Sequence, residues 1–350
     1  MEDLDTLVLR TAVGWRAAGL PVVLVTVART WGSSPRPPGS LMAINGQGET
    51  VGSVSGGCIE DDMIQRIREG GVRAACATDT PAVLRYGISA DEAHRFGLPC
   101  GGTVELVLEP VSGRSRLDEL LQACQRRRST ERRLDLRTGA VALSEGRRDG
   151  VPRLDEHHLT TYLGPQARLI LIGAGDLSRF MGQMALSLGF EVIVCDPREE
   201  HRASWRMDGV VLSHEMPDDL ILRLKPDART AVVALTHDPK LDDLALIDAL
   251  QSEAFYVGAI GSRRHSALRR ERLHTHFDLS EDDLCRLHGP AGLYIGSKTP
   301  AEIALSIMAE VVAVKNGVRQ GAPVPVSVGK SRLEAAETGS QAFTAPVCAV

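Results

Sequence analysis

The chain has 350 residues, 43% of them hydrophobic and 24% charged, with a formal net charge of −5; this length suits two domains that bury their own cores without disulfide or metal staples. Aromatic residues make up only 4%, which with the acidic balance excludes a base-stacking platform and a general nucleic-acid binder. No apolar run approaches the ~20 residues of a membrane span, and the acidic start Glu2-Asp3-Leu4-Asp5 lacks the basic region of a signal peptide, so a cytoplasmic protein is expected.

Leu4, Leu7, Val8 and Trp15 are spaced for one helical face, with Gly19-Leu20-Pro21 as its stop. Val22 to Val27 is a β-branched run that reads as a buried strand. A Gly/Ser/Pro loop from Trp31 to Ser40 follows. Leu41 to Ile44 then resumes a strand, and Asn45-Gly46 predicts a hairpin to a partner over Thr50 to Val54. Ser55-Gly56-Gly57-Cys58 ends that strand, and a helix opens with Glu60, Asp61 and Asp62 in its first turn. Cys100-Gly101-Gly102 precedes an alternating strand, Thr103 to Leu108. Residues 1–110 thus read as an α+β domain. Residues 111–164 read as a connecting region with a helix over Leu117 to Arg128 and a hairpin-like stretch at Thr138-Gly139. Its arginines, Arg126 to Arg128 with Arg132 and Arg133, could form a phosphate site but read most simply as cations on a solvated helix end.

From Arg168 strands and helices alternate, which predicts a parallel sheet with helices on both faces over residues 165–317. Strands are expected at Leu169 to Ile172, Phe190 to Cys195, Val210 to Leu212, Ala231 to Leu235 and Phe255 to Ile260. Gly173-Ala174-Gly175-Asp176-Leu177-Ser178 occupies the first strand-to-helix turn, and Asp196 lies about 20 positions on, at the end of the next strand. That is the arrangement in which turn amides hold a pyrophosphate and a carboxylate takes ribose hydroxyls, so Gly173, Gly175, Asp196 and Arg198 are candidates for NAD(P) or another nucleotide. A second turn, Gly258 to Arg264, offers Gly261, Ser262 and Arg263 to an anion. Thr299-Pro300-Ala301-Glu302 is a capping box that opens the last helix. Residues 318–350 read as a flexible tail.

Seven scattered cysteines without a CxxC pair read as reduced thiols. Cys58 and Cys100 stand apart because each adjoins paired glycines. At the start of a helix, amide groups and the dipole favour the Cys58 thiolate, and Glu60 partly opposes them. Together the two suggest a thiolate-lined pocket for a soft metal or a transferable sulfur, although two unrelated structural cysteines fit the spacing as well.

Ser33-Ser34-Pro35-Arg36-Pro37-Pro38-Gly39, Gly52-Ser53-Val54-Ser55-Gly56-Gly57-Cys58-Ile59-Glu60 and Cys100-Gly101-Gly102 resemble the N-terminal signature of the xanthine dehydrogenase accessory factor (XdhC/CoxI) family. The second half is similar to that family's Rossmann-like domain at Ile172 to Gly175, Asp196 to Arg198, Gly258 to Arg264, Gly292 to Gly296 and Thr299 to Ala304. The chain departs from the pattern at Asp176-Leu177-Ser178, Ala291 and Tyr294. The resemblance implies a molybdenum-cofactor chaperone rather than a stand-alone enzyme. Such a protein binds molybdopterin, holds it while a cysteine desulfurase supplies the terminal sulfido ligand, and inserts it into a molybdenum hydroxylase such as xanthine dehydrogenase. Cys58 and Cys100 then become candidates to contact molybdenum or the transferred sulfur. Arg36, Ser55, Gly56, Gly57, Glu60, Gly101 and Gly102 become candidates to hold the pterin or its phosphate. A homodimer is a further expectation. The alternatives are an NAD(P)-dependent oxidoreductase built on the Gly173 turn, and a docking scaffold for a hydroxylase.

Overall fold

A computed structural model describes residues 4–31, 36–76, 80–87, 103–146 and 150–318, apart from the side chains of Cys58 and residues 72–76. The first layer is a five-stranded antiparallel sheet of β1 (Val22–Trp31), β2 (Leu41–Asn45), β3 (Thr50–Gly52), β4 (Ala82–Tyr86) and β5 (Thr103–Pro110), in the order β3-β2-β1-β5-β4. Central β1 is buried from Val22 to Ala28 because helices cover both faces, which is why its sequence there is apolar apart from Thr26 rather than alternating. Helix α1 (Leu4–Ala17) packs Val8, Leu9 and Ala12 on one side. Helix α2 (Cys58–Cys76), kinked at Gly71, packs Ile59, Met63 and Ile67 on the other. Gly52 holds φ +86, and a Cβ there would stand 2.3 Å from the Leu41 carbonyl oxygen, so the chain can turn from β3 towards α2 only at a glycine.

The stretch expected to be connecting sequence is a second antiparallel sheet. After α3 (Leu117–Gln125) come β6 (Thr130–Asp135), β7 (Val141–Glu145), β8 (Arg153–Leu154) and β9 (His158–Leu163), ordered β7-β6-β9-β8. Leu134, Leu154 and Leu159 pack against Ala28 and Val107 of the first sheet. One ion pair is sealed between the sheets: Arg132 Nη2 donates to both Glu109 oxygens at 2.6 and 2.8 Å, with both side chains only 3% exposed.

The third layer is all parallel: β10 (Arg168–Ile172), β11 (Glu191–Cys195), β12 (Val210–Ser213), β13 (Thr230–Ala234), β14 (Tyr256–Ala259) and β15 (Leu287–His288), in the order β12-β11-β10-β13-β14-β15. This is the doubly wound dinucleotide-fold order, with its switch point between β10 and β13. Helices α4 (Asp176–Ser187) and α10 (Pro300–Lys315) cover one face. Helices α6 (Pro217–Leu224), α7 (Pro239–Gln251) and α8 (Arg263–Phe277) cover the other. Two short helices, α5 (Glu199–Arg202) and α9 (Glu281–Cys285), complete the layer.

Arg127 is not a solvated cation. It reaches from the end of α3 to the edge of the parallel sheet, where Nε and Nη2 donate to Asp227 at 2.7 and 2.9 Å and Nη1 donates to Glu191 at 3.2 Å. The N-terminal half therefore sits against the end at which the parallel strands begin.

Removing one partner of a sealed ion pair strands the other charge. Glu109→Ala should cost ~3–5 kcal/mol in urea unfolding, whereas the Glu109→Leu/Arg132→Met pair should stay within about 1 kcal/mol of the parent.

Candidate functional site

The turn between β3 and α2 is organised by one carboxylate. Glu60, in the first turn of α2, points back over the residues before the helix. Its Oε1 accepts the amides of Val54 (2.9 Å), Ser55 (2.8 Å) and Gly56 (3.0 Å) and the Ser53 hydroxyl (2.9 Å). Its Oε2 accepts the Gly57 amide at 2.9 Å and a short bond from the Ser55 hydroxyl. Successive amides converging on one point make an anion-binding nest, and here the anion is the protein's own. Burial alone would push the Glu60 carboxyl up; the bonds from Ser55, Gly56 and Gly57 outweigh it and hold the group at about 2. The amides of Val54 to Gly57, expected as donors to a ligand phosphate, are thus already occupied. Gly56 (φ +98) and Gly57 are exposed, with nothing among the described residues within 4 Å of where a Cβ would project. The turn therefore offers a bare backbone surface leading to Cys58, not a set of free donors. Cys100, Gly101, Gly102 and the Cys58 side chain lie outside the described residues.

Ser53 also borders a cavity of about 420 Å³ at the seam between the halves. Arg36, Ser40 and Leu41 line it from the N-terminal sheet, and Ala167, Gly189, Arg229 and Lys315 from the parallel-sheet layer. Ala167 and Arg229 directly precede β10 and β13, and Gly189 comes just before β11. Gly173 and Asp196 directly follow β10 and β11. A five-residue strand spans about 15 Å, so the structure does not bring the two sets of candidates together. Arg36 and the Ser53–Glu60 turn lie at or near the seam, while Gly173, Gly175, Asp196, Arg198, Gly261, Ser262 and Arg263 lie at the opposite rim.

At that rim the dinucleotide-type turn is closed on itself. Gly173 donates to the Cys195 carbonyl (2.7 Å), Ala174 to Asp196 Oδ2 (2.9 Å) and Gly175 to the Ser178 hydroxyl (3.0 Å). Gly173 is required where β10 and β13 diverge, because a Cβ there would meet Thr236 Cγ2 at 2.9 Å. Asp196 is fully buried and held by Arg198, whose Nε and Nη2 each donate at 2.9 Å. Burial raises the Asp196 carboxyl, and the bonds from Arg198 and Ala174 bring it below its usual range. A ribose would have to displace that guanidinium. Ser262 caps α8, accepting the His265 amide at 3.1 Å. Beside it, buried Asp242 accepts the Thr236 and His237 amides (3.1 Å each) and Arg269 Nη2 (3.0 Å), tying the β13 loop to α8. Cys195 is buried beneath this rim; burial, then neighbouring Asp196 and Glu215, push its thiol up to about 12, so it is inert.

A further cluster carries no local sequence signal. Buried Glu310 of α10 accepts the Tyr256 hydroxyl (2.6 Å) and the Gly292 amide (2.6 Å), and pairs with His288 Nδ1 at 3.1 Å. The His288 ring stacks on Tyr256 with centroids 4.4 Å apart. Burial raises the Glu310 carboxyl, and these partners bring it to about 2. The cluster pins the Gly292–Gly296 loop to the last helix.

An antiparallel α+β half seated on the starting edge of a doubly wound parallel sheet defines a two-domain α/β protein whose distinctive turns lie outside the usual nucleotide crevice. Residues 169–311 match the XdhC Rossmann domain, and residues 15–87 match the XdhC and CoxI family. The chain belongs to the XdhC and CoxI family. It is 26% identical to the molybdenum cofactor insertion chaperone PaoD of Escherichia coli, over 93% of this chain and 94% of that protein. It is 24% identical to a probable xanthine dehydrogenase subunit from Bacillus subtilis, over 85% and 94%. A crystal structure described as a xanthine dehydrogenase from Bacillus halodurans superposes with a TM-score of 0.69 at 25% identity, covering 94% of this chain and 99% of that one.

Two outcomes follow from these geometries. The folded Glu60 carboxyl titrates near 2, against 4.5 when unperturbed. Its stabilisation is therefore complete above pH 4.5 and disappears as the pH falls towards 2. Glu60→Gln should lose about 1–2 kcal/mol at neutral pH, allowing for solvent screening, and thermal melts of the two proteins should converge on acidification. With Asp196 held by Arg198 and the Gly173, Ala174 and Gly175 amides occupied, NADH should bind more weakly than about 1 mM. Micromolar binding that Asp196→Ala abolishes would contradict that.

Proposed function

We propose that this chain is a molybdenum-cofactor insertion chaperone serving a molybdenum hydroxylase of the xanthine dehydrogenase kind. The observation that carries this reading is the likeness to PaoD, which covers 93% of this chain and 94% of that protein. In this reading the cofactor is cargo: the chain binds its molybdopterin form, shields it while a cysteine desulfurase supplies the sulfido ligand, and hands it on. The protein works in the cytoplasm, and no helix among the described residues is long and apolar enough to cross a membrane.

The Ser53–Glu60 turn supports this assignment in a specific way. A flat pterin can lie on the open backbone of Gly56 and Gly57, with Arg36 at the neighbouring cavity for its phosphate. Cys58 and Cys100 are assigned to the molybdenum or its transferred sulfur, for which soft thiolates are the suited donors. The incoming metal centre adds to the helix start in favouring the thiolate. An NAD(P)-dependent oxidoreductase is not retained, since Asp196 is buried under Arg198 and the amides of Gly173, Ala174 and Gly175 are taken.

The test is to incubate the full chain with molybdenum cofactor, remove the excess and measure bound molybdenum and released pterin. Each should approach one equivalent, and the Cys58→Ala/Cys100→Ala double variant should retain about a tenth or less of the molybdenum. Absence of pterin from the parent protein contradicts the function. Full loading and delivery by the double variant contradicts the thiolate roles.

A further inference from the structure

The seam cavity has a wall that the proposed function leaves unused. Lys315, the last residue of α10, and Arg229, in the loop before β13, both line it, facing Arg36 from the loop before β2. Asp5 is the one carboxylate among the described lining residues. Lys315 is half-buried and makes no hydrogen bond or ion pair among the described residues. Arg229 places its Nε on the Pro165 carbonyl at 3.2 Å, and its terminal amino groups have no partner among those residues. Burial and the nearby Arg229 charge both lower the Lys315 ammonium from its usual value. A cation in the last turn of a helix suits the helix dipole, which accounts for Lys315 alone. It does not account for a second, partly desolvated cation brought beside it without a carboxylate between them. Like charges so placed are unfavourable until an anion joins them.

We propose that this cavity binds the phosphate group of a small organic phosphate ester, with Lys315, Arg229 and Arg36 as its cationic wall. The cavity volume, about 420 Å³, lies in the range of small-molecule sites. Its remaining lining includes Leu41, Tyr162, Leu163 and Leu188, apolar surface that a bare phosphate ion would leave uncovered. A second cavity of about 680 Å³ shares Ser129, Pro165 and Arg229 with it, so the organic part has room to extend. The inference deepens the proposed function by naming the chemical group the seam recognises. Its test uses probes without molybdenum, so either can fail without the other.

Phenyl phosphate and inorganic phosphate are titrated calorimetrically into the full chain. Phenyl phosphate should bind, at least about tenfold tighter than inorganic phosphate, and Lys315→Gln should weaken it about tenfold or more while Lys315→Arg retains most of the affinity. Without ligand, Lys315→Gln should melt at or above the parent temperature, because it removes an unpaired, half-buried charge. No binding of phenyl phosphate, or unchanged binding by Lys315→Gln, overturns the site. Equal affinity for the two probes overturns the ester, and a lower melting temperature for ligand-free Lys315→Gln overturns the functional role in favour of a structural one.

Discussion

The Glu60 carboxylate, gathering four consecutive amides and two hydroxyls, fixes the conformation on which the N-terminal site depends. The amides of Val54 to Gly57 lie between β3 and α2 and have no backbone partner in either element, and leaving them bare is costly. By supplying the anion internally, the chain keeps a glycine turn rigid with nothing bound. The same solution appears at Ala174 on Asp196, at Thr236 and His237 on Asp242, and at Gly292 on Glu310. The turns at Gly56-Gly57, Gly173 and Gly292 are self-contained, so these glycines mark close backbone approach and an open surface rather than phosphate cradles.

That constraint redirects attention from the rim of the parallel sheet to its opposite end. The N-terminal half docks where the strands begin, through Arg127 on Asp227 and Glu191. This docking creates the seam cavity beside the Ser53–Glu60 turn. A cargo held there is in reach of groups from both halves, which gives a physical reason for the two domains to occur in one chain. The doubly wound sheet then serves as a platform and a wall, in keeping with the rule that a fold does not dictate its ligand.

Much of the fold was legible because its strands are buried on both faces. Leu169 to Ile172 and Val192 to Cys195 are unbroken apolar segments, Val22 to Val27 is interrupted only by Thr26, and the Thr299–Glu302 capping box forms as its spacing predicts. The second antiparallel sheet was not legible, for a physical reason. Its central strand reads Thr-Glu-Arg-Arg-Leu-Asp, and Arg132 is buried only because Glu109 from another sheet neutralises it. The site shows the same division. Spacing picked out the Cys58 turn and Asp196, but whether their amides and carboxylates are free depends on loop conformation. Arg229 and Lys315 meet only through the packing of α10 on the parallel sheet, and Glu310 and Tyr256 are 54 residues apart, so neither group has a local signature.

Cargo bound at the seam and the Ser53–Cys58 turn, rather than at the dinucleotide-type rim, leaves a distinct footprint in amide hydrogen exchange of the full chain with and without molybdenum cofactor. Exchange should slow in peptides covering Ser53–Cys58, the Arg229 loop and the end of α10, with Gly173–Ser178 and Asp196–Arg198 unchanged. Protection confined to Gly173–Ser178 and Asp196–Arg198 would contradict binding at the seam.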